Sequence, residues 1–168
     1  MSGDPRRPVV AVIGAANATQ EDVATAERVG HLLAERGAIV VCGGRGGVME
    51  AVCRGAAARG GMTLGLLPGS DAGEANAFLT IALPTGMGQA RNAILILAGR
   101  AVIAIGGGTG TLSEIGLALK AGRRVIGLGT WHARDGHGES AGVLEASSPE
   151  DAVTLALEGK PSDVQGGI

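Results

Sequence analysis

The chain has 168 residues, 45% of them hydrophobic, which is enough for one globular domain over 1–168 with a sizeable core. A formal net charge of −2 and a pI near 5.9 give no electrostatic footprint for nucleic acid. No apolar stretch reaches membrane-spanning length and the first eight residues lack a signal-peptide core, so no membrane partner and a cytoplasmic location are expected.

In chain order, the apolar run 9–13 predicts a first strand and 14–19 the turn after it, opening on Gly14. A helix is expected over 21–35, with Thr19 or Gln20 near its cap and Gly37 at its end. A second strand over 38–41 leads into the glycine loop 43–47, which holds Gly43, Gly44 and Arg45. A helix over 48–59 follows, then a strand over 62–67 and a polar lid-like loop over 68–77. A short strand over 78–83 precedes a helix over 89–98. The run 101–105 is wholly apolar, the pattern of a parallel strand buried on both faces. It passes into Gly106, Gly107, Gly108, Thr109 and Gly110, and then into a helix whose apolar positions include Leu112, Ile115 and Leu119. A strand over 124–128, a loop over 129–140, a short strand near Val143 and a helix over 149–157 complete the chain; residues 1–7 and 159–168 are expected to fray.

Strands alternating with helices predict an α/β fold: a doubly wound, mostly parallel sheet with helices on both faces, a Rossmann-like three-layer arrangement. Right-handed crossovers put the glycine turns at the carboxyl edge of the sheet, where such folds bind ligands. A strand, a glycine turn and a helix start make an anion site, because glycine lets backbone approach a ligand and the first helical N–H groups are free. The dinucleotide fingerprint is missing: residues 14–19 read Gly-Ala-Ala-Asn-Ala-Thr, and the second strand ends in Cys42 and glycines without an acidic residue. NAD is therefore disfavoured.

Other absences narrow the chemistry. Lysine occurs only at Lys120 and Lys160, away from the glycine loops, which removes a P-loop and disfavours a pyridoxal-phosphate Schiff base. There is no Tyr, one Trp and one Phe, so an aromatic platform for single strands is not expected. Cys42, Cys53 and three histidines lack metal-ligand spacing; the cysteines read as small buried residues, and no metal site is predicted.

Two charged residues stand out. Glu114 follows the glycine loop in what reads as the first helical turn; it is either an acid/base or the far half of a capping box with Thr111. Arg91 falls in the first turn of the 89–98 helix, where a positive charge opposes the dipole, and breaking a local rule points to function. If both helices open at one sheet edge, Arg91 and Glu114 face one cleft, giving a phosphate site with an acid/base. Arg45 could also reach an anion. Trp131 covers a heterocycle or packs its loop beside His132, while Glu74 and Asn76 belong to the lid.

The stretch from Thr85-Gly-Met-Gly-Gln-Ala-Arg-Asn92 to Gly106-Gly-Gly-Thr-Gly-Thr-Leu-Ser-Glu114 resembles the LONELY GUY and molybdenum-cofactor-carrier-like superfamily, some of whose members carry a lysine decarboxylase label. LONELY GUY enzymes release base from cytokinin riboside monophosphates. The resemblance implies Arg91 and Glu114 as catalytic residues and Gly107, Gly108, Gly110 and Thr111 as phosphate-binding. Gly106 replaces the proline of those enzymes and Asn92 their usual lysine, features closer to the carrier-type branch, which binds molybdenum cofactor or related pterins and nucleotides. The implied functions are a nucleoside 5′-monophosphate phosphoribohydrolase needing no cofactor for its chemistry, a carrier for a nucleotide, phosphate or molybdopterin-type ligand, or a nucleotide sensor. A dimer or tetramer is implied as well. DNA-processing protein A is a more distant resemblance, and the acidic balance argues against DNA.

Overall fold

The computed structural model describes residues 6–159. The expected fraying of the two ends therefore lies outside the described residues, except at Arg6, Arg7 and Gly159. Of these, Arg7 is tied down, its Nε–H donating to the Gly37 carbonyl at 2.8 Å.

Seven strands form one sheet in the order β4-β3-β2-β1-β5-β6-β7, and every neighbouring pair is parallel. They are β1 (Val9–Gly14), β2 (Ile39–Cys42), β3 (Thr63–Leu67), β4 (Ile81–Pro84), β5 (Ala101–Ile105), β6 (Arg124–Leu128) and β7 (Val143–Glu145). The helices are α1 (Gln20–Glu35), α2 (Val48–Ala57), α3 (Arg91–Ala98), α4 (Thr109–Lys120) and α5 (Pro149–Glu158). The doubly wound α/β expectation holds, and the named strands are wholly parallel.

Alternation along the strands builds two cores. Val10, Val12, Ile103 and Ile105 point to the face covered by α1, α2 and α5, where they meet Val29, Leu33, Val52 and Val153. Ala11, Ile13, Val102 and Ala104 point to the other face, against Leu95 and Ile96 of α3 and Ile115 and Ala118 of α4. All five β5 residues are fully buried, and each large apolar side chain in such a strand contributes about 1.5–3 kcal/mol.

The chain fills the sheet outward from β1 to β4 and then crosses back to lay β5 on the other side of β1. In register, Val10 pairs with Ala101 and Gly14 with Ile105. The winding thus reverses between β1 and β5, and a crevice must open beyond their carboxyl ends.

Three local expectations change. The strand expected over 78–83 is Ile81–Pro84, because Phe78 to Thr80 form a polar clasp on β3. There the Thr63 hydroxyl donates to the Phe78 carbonyl at 2.9 Å and accepts from the Thr80 N–H at 2.8 Å. The helix expected over 89–98 divides into a 3-10 turn, Gly88–Ala90, and α3 starting at Arg91. The helix expected over 48–59 ends two residues early, at Ala57.

Candidate functional site

A cavity of about 330 Å3 occupies the crevice at the switch between β1 and β5. Its wall includes Gly14, Gly43, Arg45, Arg91, Gly108, Gly110, Thr111 and Glu114, so most of the residues singled out in the sequence come together. Gly44, Gly107 and Thr109 are not on that wall. Gly44 sits behind it, its N–H donating to Cys42 Sγ at 3.4 Å. Gly107 lines the neighbouring cleft, and Thr109 is the exposed first residue of α4.

The opening of α4 differs from the capping-box reading. The helix starts at Thr109 on an N-cap, Gly108, without a side-chain cap. Glu114 is therefore the sixth residue of the helix and outside its first turn, and the Thr111–Glu114 box does not form. No hydrogen bond among the described residues takes the amides of Thr109, Gly110 or Thr111. Ideal Cβ positions at Gly108 and Gly110 meet nothing within 4 Å. Free amides with open space above them are what an anion needs.

Glu114 turns to Arg91 instead. The two side chains are 15% and 10% exposed, with Arg91 Nη1 3.9 Å from Glu114 Oε1. That is long beside the 2.7–2.9 Å of a charge-assisted hydrogen bond, and Arg91 Nε is buried without a partner. Burial pushes the Glu114 carboxyl above its usual range, partly opposed by Arg91. Burial also pulls the Arg91 guanidinium below its usual range, with Glu114 pulling the other way. Gly43 makes room for this arginine, because a Cβ there would stand 2.9 Å from Arg91 Nη2.

Sequence reasoning passed over Ala15, Ala16, Met49 and Gln89, which also line the cavity, and noted Asn92 only as a departure. Asn92 had a local signal, since it follows Arg91 at the start of α3; its Oδ1 is buried without a partner. The alanines and Met49 carried none.

Behind the wall, Cys42 and Cys53 are fully buried with sulfurs 3.5 Å apart, in keeping with their reading as core residues. No group of three or more His, Cys, Asp or Glu among the described residues could hold a metal ion. The 68–77 loop is tethered to the second glycine loop. Arg45 pairs with Glu74 at 3.0 Å, and Asn76 donates its backbone N–H to the Gly44 carbonyl and its side-chain amide to the Arg45 carbonyl. On the other flank, the Trp131 indole N–H donates to the Gly108 carbonyl at 3.0 Å. His132 pairs with Glu145.

No helix among the described residues is long and apolar enough to cross a membrane. A protein of Archaeoglobus fulgidus without an assigned function is 45% identical over 119 residues, covering 71% of this chain and 78% of that protein. Among solved structures, the molybdenum cofactor binding protein of Rippkaea orientalis superimposes with a TM-score of 0.81 at 37% identity, covering 90% of this chain and 96% of that one. The molybdenum cofactor carrier protein of Chlamydomonas reinhardtii gives 0.80 at 32% identity, covering 91% and 98%. DNA processing protein A of Streptococcus pneumoniae, at 20% identity and a TM-score of 0.70 over 90% of this chain and 62% of that one, shares the fold. The model of the SLOG cluster4 family matches residues 7–153, and the chain belongs to that family.

Proposed function

We propose that this protein binds a phosphate-bearing, nucleotide-like ligand of molybdopterin type and acts as its carrier. The phosphate lies on the α4 opening, at Gly107, Gly108, Thr109, Gly110 and Thr111, and against Arg91. The rest of the ligand occupies the crevice beside Gly14, Gly43 and Arg45. One observation carries this reading: an uncapped helix opening and Arg91, whose guanidinium stops 3.9 Å short of Glu114, line the same cavity. A phosphate on the free α4 amides would accept charge-assisted hydrogen bonds from a guanidinium held in the same wall. Carrier rather than enzyme is supported by the two cofactor-binding neighbours at 37% and 32% identity, and by Gly106 and Asn92.

The phosphoribohydrolase reading rests on a separate observation, the raised carboxyl of Glu114 beside Arg91. Held protonated, Glu114 could donate to a departing base; ionised, it could activate water or steady a ribosyl cation. This hydrolysis requires no cofactor for its chemistry, whereas in the carrier reading the molybdopterin-type molecule is the cargo.

The assembly in this reading is a homo-oligomer, a dimer or tetramer of single-domain chains. Its support is apolar surface on the outer helices, where Ile94 and Leu97 of α3 are 45% and 56% exposed and Leu117 of α4 is 39% exposed. A cytoplasmic location without nucleic acid goes with it, consistent with the net charge of −2.

Two assays separate the readings. Protein purified from a host that makes molybdenum cofactor should yield a fluorescent pterin on oxidation, and Arg91→Ala should lose it. Free base released from nucleoside 5′-monophosphates by wild type, and not by Glu114→Gln, would replace the carrier by the hydrolase. Absence of both pterin and nucleotide binding would sink the reading altogether.

A further inference from the structure

A second cleft, of about 480 Å3, adjoins the first across the glycine turn, with Asp22, Gly106, Gly107, Trp131 and His132 on its wall. Trp131 is the protein's sole tryptophan and is 38% exposed. Its one polar atom is engaged by the Gly108 carbonyl at 3.0 Å, so what the indole offers the cleft is apolar ring surface. Next to it, the Thr130 hydroxyl donates to the Gly106 carbonyl at 2.5 Å. These two bonds strap the loop after β6 to the turn that ends β5. They use carbonyls only, so the α4 amides stay free while the indole is held at a fixed offset from them.

The charges of this cleft suit a different group from those of the first. His132 is paired with Glu145, and Asp22 contributes a carboxylate whose Oδ2 accepts from the Thr19 N–H at 3.1 Å. Asp22 Oδ1 lies against Gly106, where it can accept an N–H. No free cation answers the carboxylate among the described wall residues, so a phosphate is disfavoured inside the cleft and favoured at its α4 rim. An aromatic face beside an acceptor is chemistry for an uncharged heterocycle with N–H groups.

We infer that the ligand continues past its phosphate into this second cleft: that phosphate is one half of a pyrophosphate whose other half bears a nucleoside, with the far heterocycle lying on Trp131. A monophosphate would occupy one side of the glycine turn; a dinucleotide joined through pyrophosphate would occupy both, its charge centred on the α4 opening. This inference rests on the phosphate site proposed above.

The test is calorimetric titration of the whole protein with AMP and with P1,P2-di(adenosine-5′) pyrophosphate, alongside Trp131 fluorescence. The dinucleotide should bind at least tenfold more tightly than AMP and quench the fluorescence, within the range of base–aromatic stacking. Trp131→Ala should bring the dinucleotide down to the AMP level and leave AMP within twofold; Trp131→Phe should keep most of the advantage. A dinucleotide no tighter than AMP, or one that binds without changing Trp131 fluorescence, overturns the subsite and leaves the phosphate site standing. Equal losses for both ligands in Trp131→Ala would make the indole a strap alone and also overturn it. If neither nucleotide binds while the pterin copurifies, the subsite falls and the phosphate site stands; if the pterin is absent as well, both fall.

Discussion

Two glycine loops sit at the same edge of the same sheet, one after β2 and one after β5, and they differ in what meets the first N–H groups of the helix that follows. After β2, α2 also opens on a glycine without a side-chain cap, but its first N–H and the Gly44 carbonyl are taken up internally. The Val48 N–H at the start of α2 donates to the Ala15 carbonyl at 3.0 Å, and the Gly44 carbonyl accepts from Asn76 at 2.9 Å. Gly47, at φ 65°, abuts the β1 turn so closely that a Cβ would lie 2.3 Å from two carbonyl oxygens. After β5, α4 opens on free amides with empty space above Gly108 and Gly110. Glycine in the first loop lets the chain pack on itself; in the second it leaves room for something else. A glycine count cannot tell these apart, but the partner of the first helical N–H and the space above the glycines can.

Substitutions can break this contrast from either side. The largest expected effect is on binding: Arg91→Ala should weaken any phosphate-bearing ligand roughly a hundredfold, the order found when one partner of a buried charge pair is removed. Titration calorimetry reads it, and a loss under threefold would take Arg91 out of the site. Next comes Gly47→Ala, expected to destabilise the fold by about 2–4 kcal/mol through backbone strain and the clash with Ala15 and Ala16. A urea midpoint unchanged from wild type would show that α2 can move off the β1 turn. Gly110→Ala should do the reverse: stability gains about 0.5–1 kcal/mol from helix propensity, while ligand affinity falls about tenfold as a methyl enters the approach path. Both quantities rising together would mean that the ligand does not come over α4.

Much of this contrast was legible in the sequence, but not its sign. The 101–105 strand was placed to the residue because a five-residue apolar run bounded by Arg100 and Gly106 has no competing period. Arg91 stood out by breaking the dipole rule, and the structure buries it. The capping-box alternative at Thr111 fails because it is a local pattern: Thr111 is buried inside the helix, which starts at Thr109 on Gly108 as its N-cap. The start of β4 was misplaced because Phe78 and Leu79 read as strand, although they pack on the core while Thr80 closes the clasp on Thr63. The strap from Trp131 to Gly108 joins residues 23 apart, and no spacing rule covers it.

The smallest effect sharpens the comparison within the second loop, by asking whether Glu114 is a cap or a buried acid. A capping carboxylate is stabilised in its ionised form and titrates low. Glu114 is instead pushed up, chiefly by burial, with Arg91 only partly opposing. Between the ordinary glutamate pKa and the raised folded value, the folded protein binds more protons than the unfolded chain. Stability from this group is thus fully present below that window and is lost as pH rises through it. Glu114→Gln, which cannot ionise, should lack that decline. Urea midpoints of the two proteins should therefore diverge in the variant's favour as pH rises through the window and run parallel above it. The opposite slope, with wild type gaining on the variant, would mean that Arg91 outweighs burial and that Glu114 sits in the folded protein as a paired anion.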